Sequence, residues 1–284
     1  MCELLCLSSL MPTTVSITLE HLARHGALGQ SNVDGWGLAS YEDRDIRLYK
    51  EPEPAGQSAW LGFILGRDLQ CALMMSHIRR ASQGALTHAN TQPFARELDG
   101  RMHTFAHNGD LRGLAGLAGA GPQRFNPVGE TDSELAFCIL LERMATLWAA
   151  AKAPLLKHRL SVVKTFAADI RACGQANFLY SDGELVFAHG HRRPPYDGDR
   201  GQPGLWRMDQ VSAVDPEKLA KSGVTIGNHQ RGQEITLIAS VPLTEDAWIP
   251  FDEGEVVVLK QGRLARHVET MDVSGHGAAA AISR

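Results

Sequence analysis

Apolar and polar positions divide the chain into a block of strands, two adjacent helices, and a second block of strands. Cys2–Ser8 reads as a short apolar strand ended by Pro12. Ile17, His21 and Leu22 share the spacing of one helix face, predicting a helix over Ile17–His25 that opens into a glycine-rich loop. Alternation over Leu38–Tyr41 predicts a strand, with Ile46–Lys50 as its hairpin partner. Two prolines make Glu51–Gly56 a loop, and Cys71–Ile78 is a buried strand. Thr91–Leu98 and Arg101–His107 flank Asp99-Gly100, a strong hairpin turn.

Glycine-rich Arg112–Pro127 is expected to be a surface loop. Thr131-Asp132-Ser133-Glu134 then has the pattern of a capping box. The helix behind it buries Leu135, Ile139, Leu140, Met144 and Trp148 at helical spacing, and a second helix over Pro154–Cys173 does so with Leu160, Val163, Phe166 and Ile170. Strands return at Ala176–Ser181, Glu184–His189, Glu234–Ser240, Glu255–Lys260 and Arg263–His267. This order predicts two sheets covered by helices, not alternating βαβ units. The polar, proline-rich loop His189–Gly204 is of the kind that overhangs a site, and the segment from Ser274 onward reads as a disordered tail.

Composition narrows the setting. A net charge of −4 gives no electrostatic case for a nucleic-acid or polyanionic partner. No apolar run reaches the roughly 18 residues of a membrane span, and the first twenty residues lack the basic start of a signal peptide. Five cysteines without a C-x-x-C pair read as reduced thiols, which points to a cytoplasmic protein. No phosphate-cradling glycine motif is present, so no cofactor is expected. His189 and His191 read as solvated loop histidines, not metal ligands.

The chemistry starts at Cys2. Once Met1 is removed, Cys2 carries a thiol and a free α-amine, with pKa values of roughly 8.5 and 7.7–8.0. The amine can then serve as base for its own thiol, through a water relay. Four further segments stand in order behind it: His77–Gly84 (HIRRASQG), Asn90–Phe94 (NTQPF), Ala106–Leu111 (AHNGDL) and Gly129–Glu134 (GETDSE). Together with Cys2 they resemble the class II, N-terminal-nucleophile (Ntn) glutamine amidotransferases, and the length resembles their stand-alone bacterial branch.

The resemblance implies an α+β fold, a four-layer αββα Ntn-hydrolase sandwich of two mainly antiparallel sheets covered by helices. One such domain is expected over residues 2–270, with 271–284 as the tail. It implies Cys2 as nucleophile, Asn108 (side-chain amide) and Gly109 (backbone N–H) as the oxyanion hole, and Arg79, Asp132 and Ser82 as substrate-binding residues. Arg79 would take the α-carboxylate of glutamine and Asp132 its α-ammonium group. Arg80 stands where an aromatic residue is common, His25 replaces an arginine, and Gln83 stands where sugar-synthase members have histidine. Asp34 and Trp36 are placed at the pocket entrance. The expected activity is hydrolysis of glutamine through a γ-glutamyl thioester, releasing ammonia and glutamate, alone or docked on a synthase subunit. The alternatives are a γ-glutamyl amidohydrolase acting on a modified metabolite and a non-catalytic glutamine-sensing module.

Overall fold

The structure, a computed structural model, describes residues 2–17, 34–67, 69–81, 84–118, 124–150, 153–193, 202–209, 217, 224–226, 232–244 and 248–265. The predicted segment 18–25 and the tail from 266 lie outside them.

The first sheet is built from β1 (Glu3–Ile17), β2 (Gly35–Glu42), β3 (Asp45–Glu51) and β4 (Gln70–Arg79). The second takes β5 (Phe94–Leu98), β6 (Arg101–Asn108), β7 (Asn177–Ser181) and β8 (Val186–His189). Short strands β9 (Arg192–Arg193) and β10 (Gln202–Pro203) pair only with each other. The first sheet is completed by β11 (Trp206–Met208), β12 (Val224–Ile226), β13 (Ile235–Ala239) and β14 (Ile249–Pro250), the second by β15 (Val256–Lys260) and β16 (Arg263–Leu264). The orders are β14-β11-β13-β1-β4-β2-β3, with β12 also on β1, and β16-β15-β8-β7-β6-β5. Every pairing among the described residues is antiparallel.

Alternation along the strands sorts side chains into layers. Leu4, Cys6, Met75, Ala106, Leu179 and Ala188 fill the space between the sheets. Leu5, Leu7, Leu38 and Ile78 face outward from the first sheet, where α1 (Ala59–Leu65) covers them with Leu61 and Ile64. On the far face of the second sheet, α3 (Asp132–Ala150) and α4 (Leu156–Cys173) pack over Phe105 and Phe178; α2 (Ala115–Ala118) is a single turn in the glycine-rich loop. The Phe105 ring stacks on Phe137 at 5.4 Å, and Phe166 meets both Phe105 and Phe178 edge-on. Such offset and edge contacts are the favoured aromatic geometries. The result is the expected four-layer sandwich, with its helical cover on the first sheet reduced to one short helix among the described residues.

Two sequence expectations change. Pro12 does not end the first strand: β1 runs on to Ile17, and its register with β4 slips between Ser8 and Thr13. A proline has no N–H to give the ladder, so it is tolerated where the pairing is already broken. The side chain of Gln233 bridges the break, accepting from Met11 N at 2.9 Å and donating to Met11 O at 2.8 Å. The capping box is half formed. Thr131 Oγ1 accepts from Glu134 N at 3.3 Å, but the Glu134 carboxylate turns to Gly129 N (2.7 Å) and Arg96 instead of returning to residue 131.

Candidate active site

Register brings the motif residues together. Glu3 pairs with Ile78 and Leu4 with His77, so Cys2 lies opposite Arg79 at the ends of two central strands. Gly35 at the start of β2 pairs with Arg79 from the other side. The end of β6 meets this point from the second sheet: Asn108 Nδ2 donates to the carbonyl oxygen of Cys2 at 2.6 Å.

The Cys2 thiol is half-buried, and its hydrogen bonds among the described residues are both with the backbone of Arg80. Arg80 N donates to Sγ at 3.2 Å, and Sγ–H donates to Arg80 O at 3.3 Å. Burial pushes the thiol pKa up, against the opposing pull of the Arg80 N–H and the Arg79 charge. Burial thus favours the thiol over the thiolate. No side-chain base among the described residues hydrogen-bonds it.

Among the described residues, neither His77 nor His107 hydrogen-bonds the thiol. His77 is fully buried, and burial brings its pKa down to about 3. His107 Nε2 lies 3.0 Å from Gln175 O, and Nδ1 lies 2.9 Å from Ser133 Oγ. A carbonyl only accepts, so Nε2 carries a proton. His107 is a strut between β6 and the helix pair.

Arg79 is buried, its guanidinium held by two loop carbonyls: Nη1 donates to Ala85 O at 3.1 Å and Nη2 to Gly84 O at 3.2 Å. Asp34 sits beside it, accepting from Ala81 N at 2.7 Å, and its charge acts on Arg79. Asp132 opens α3, with Oδ2 accepting from Leu111 N and Oδ1 from Ser133 N, both at 2.7 Å. The structure thus ties the end of AHNGDL to the start of the helix. Gly109 lies between these elements under severe crowding. A Cβ there would stand 1.8 Å from Gln175 O and 2.9 Å from His107 Nε2. Only glycine lets this backbone pass.

Of the expected site residues, Cys2, Arg79, Asn108, Gly109 and Asp132 converge in this region, and Ser82 lies outside the described residues, as do His25 and Gln83. Trp36 is not at an entrance: it is fully buried on the outer face of the first sheet. His189 and His191 are not solvated either. His189 is buried and donates from Nδ1 to Glu255 O at 2.9 Å, while His191 Nε2 is 3.2 Å from Glu253. Burial lowers the pKa of both, that of His189 to about 4. The described residues hold no cluster of metal-ligating side chains. All five cysteines are unpaired.

Sequence reasoning missed one buried ion pair beside Cys2. Arg193 Nη2 donates to Glu3 Oε1 at 2.9 Å, and Nη1 donates to Ser240 O at 2.5 Å. Ser240 in turn takes Leu4 N on its hydroxyl at 2.9 Å. The pair links the first residues of β1 to the β9–β10 hairpin. The two partners are 190 positions apart, and no local pattern announces them.

Comparison with known proteins places this arrangement. A model of glutamine amidotransferases, class II, matches residues 1–282. "Putative glutamine amidotransferase YafJ" of Escherichia coli is 33% identical over 260 residues, covering 90% of this chain and 96% of its own. A crystal structure described as a "predicted glutamine amidotransferase" from Pseudomonas aeruginosa superposes with a TM-score of 0.68 at 29% identity, over 94% of this chain and all of the other. The glutamine phosphoribosylpyrophosphate amidotransferase of B. subtilis shares the fold at 13% identity and a TM-score of 0.57, over 93% of this chain and 48% of that one. This chain belongs to the class II glutamine amidotransferases.

Proposed function

We propose that the protein hydrolyses the side-chain amide of glutamine, or a γ-glutamyl amide, through a thioester on Cys2. The observation that carries this reading is the meeting of Cys2 with the end of β6: a thiol without a side-chain base, and the Asn108 amide 2.6 Å from the Cys2 carbonyl. In the chain freed of Met1, the α-amine of Cys2 takes the thiol proton. The thiolate attacks the amide carbon, and the C=O electrons move onto oxygen, to which Asn108 Nδ2 and the Gly109 N–H donate hydrogen bonds. Collapse breaks the C–N bond; the leaving nitrogen takes the proton from the ammonium group and departs as ammonia. Water, deprotonated by the same amine, then attacks the thioester, giving glutamate and restoring the thiol. Arg79 holds the substrate carboxylate and Asp132 its ammonium group, which places the amide carbon at Sγ. The setting proposed is cytoplasmic, where the thiols stay reduced.

The test is to incubate protein lacking Met1 with glutamine and a panel of γ-glutamyl amides, measuring ammonia, amine and glutamate. Turnover is expected with at least one, and none in Cys2→Ala or in a chain extended before Cys2. Cys6→Ala should retain it, since the buried Cys6 thiol has no free amine beside it. Full activity with a blocked or extended terminus would overturn the mechanism.

A further inference from the structure

Asn90 lies outside the proposed chemistry, yet it is buried at the point where the two substrate-holding elements meet. Its Nδ2 donates to Ala85 O at 3.0 Å, and its Oδ1 accepts from Glu130 N at 2.8 Å. The chemistry fixes this orientation: a carbonyl only accepts, an N–H only donates, and a flipped amide would satisfy neither. Ala85 O is also a partner of Arg79 Nη1. Glu130 stands two residues before Asp132. One side chain therefore joins the loop that aims Arg79 to the segment that delivers Asp132.

The two backbones close on this amide. A Cβ on Gly129 would lie 2.2 Å from Asn90 Oδ1, and one on Gly84 would lie 3.0 Å from Nδ2. Gly84 has a φ of +75°, a conformation other residues rarely adopt. Both loops present glycine where they approach Asn90, so the contact is built from both sides.

We infer that Asn90 is a positioning residue: it sets the spacing between Arg79 and Asp132, and with it the recognition of the amino-acid head group of the substrate. This rests on the glutaminase reading above. Asparagine is the residue type that fits, because the site needs one donor and one acceptor on a short planar group. Aspartate offers only acceptors, and glutamine is one methylene longer.

The experiment compares two electrophiles on Cys2, read by peptide mass mapping of intact, Met1-free protein. One is an amino-acid diazoketone shaped like glutamine, which needs the head-group grip; the other is iodoacetamide, which has no head group. Asn90→Ala should slow diazoketone labelling of Cys2 at least tenfold and change iodoacetamide labelling less than twofold. Asn90→Asp, of the same size, should show the same split and serves if the alanine variant does not fold. Gly129→Ala, which drives a methyl into Oδ1, should reproduce it. Equal loss with both reagents, or no loss with the diazoketone, would overturn the positioning role. Wild-type protein that reacts at Cys2 with iodoacetamide but not with the diazoketone would instead sink the glutaminase reading itself.

Discussion

Replacing Gly109 by alanine tests the oxyanion hole through the backbone alone. The added methyl would stand 1.8 Å from Gln175 O and 2.6 Å from its carbonyl carbon. Ordinary contact between such atoms is above 3 Å, so the two backbones must separate by more than 1 Å. Gln175 is poorly placed to yield. Its oxygen accepts from His107 Nε2, and the preceding Gly174 is pressed against Asp110, where a Cβ would lie 2.0 Å from the carbonyl oxygen. Leu111 and Gly174 are joined by a β-bridge, and Arg112 N donates to Cys173 O at 2.8 Å. The strain therefore falls on residue 109, whose N–H would leave its place in the hole.

Losing one such donor costs about 2.7–4 kcal/mol of barrier, or roughly 10²–10³ in kcat. Overpacking of this kind costs about 1–3 kcal/mol in stability. The assay is ammonia release at saturating glutamine beside a thermal melt. Gly113→Ala is the control: its φ is +75°, but a methyl there meets nothing within 4 Å. It should cost about 1 kcal/mol of stability and leave kcat unchanged. Folded Gly109→Ala protein with kcat within threefold of wild type would show that the residue 109 N–H does not stabilise the oxyanion.

The remaining predictions probe separate parts of the molecule. Arg79→Lys keeps the charge but loses the planar fork that now spans two carbonyls, so kcat/KM for glutamine should fall at least tenfold, about 1.4 kcal/mol; an unchanged value would assign the carboxylate to another residue. Asn108→Ala should lower kcat far more than it weakens glutamine binding, because an oxyanion donor acts chiefly in the transition state; equal losses would make Asn108-Gly109 only a turn. Away from the site, partial burial alone would raise the pKa of Glu184, but hydrogen bonds from Lys260 and Arg159 and their charges pull it down to about 2. A depressed carboxylate pKa adds stability above its unfolded value, which is lost as pH falls from about 4.5 towards 2. The difference in urea midpoint between wild type and Glu184→Gln should therefore shrink across that window, and a constant difference would refute the linkage. Arg159→Met leaves Asp182 buried without its 2.8 Å partner and should cost about 3–5 kcal/mol by denaturant titration.

What could be read from the sequence divides along a physical line. Strands and helices that bury one face announce themselves by period, so β2, β4, β6 and the α3–α4 pair follow from the pattern. The candidate site was legible where the proposed chemistry calls for a particular side chain, as at Cys2, Arg79, Asn108 and Asp132. It was not legible where the work is done by backbone. Arg80 touches the thiol through its N–H and C=O, so its departure from the usual aromatic type leaves that contact intact. Gln175 confines Gly109 with a carbonyl that any residue would possess. Trp36 was misplaced because a short alternating strand does not say which face is covered. His189 and His191 were misread for a related reason: the loop's polarity hid that Glu255 O and Glu253 fold back over them.

The two sheets contribute different halves of the proposed chemistry, and that division makes the layer between them part of the site. The first sheet brings the thiol just ahead of β1 and the proposed carboxylate grip at the end of β4. The second brings the oxyanion donors at the end of β6 and, through α3, the acceptor for the ammonium group. Cys2 and Asn108 lie far apart along the chain, so no short covalent link sets the gap between them. That gap is set by side chains stacked between the sheets, where Leu4 and Cys6 of one share a buried cluster with Ala106, Leu179 and Ala188 of the other. Ala106 precedes Asn108 by two positions and so faces the same layer, and Leu4 follows Cys2 by two. Residues that hold the sheets apart are thus the next ones inward from Cys2 and from Asn108. Packed interiors resist compression, so the apolar side chains of this cluster set the inter-sheet distance across which Asn108 reaches the Cys2 carbonyl at 2.6 Å. The same reasoning accounts for the buried Glu3–Arg193 pair. Removing an ion pair from water is costly, and this one ties Glu3, the residue after Cys2, to Arg193 as a second anchor.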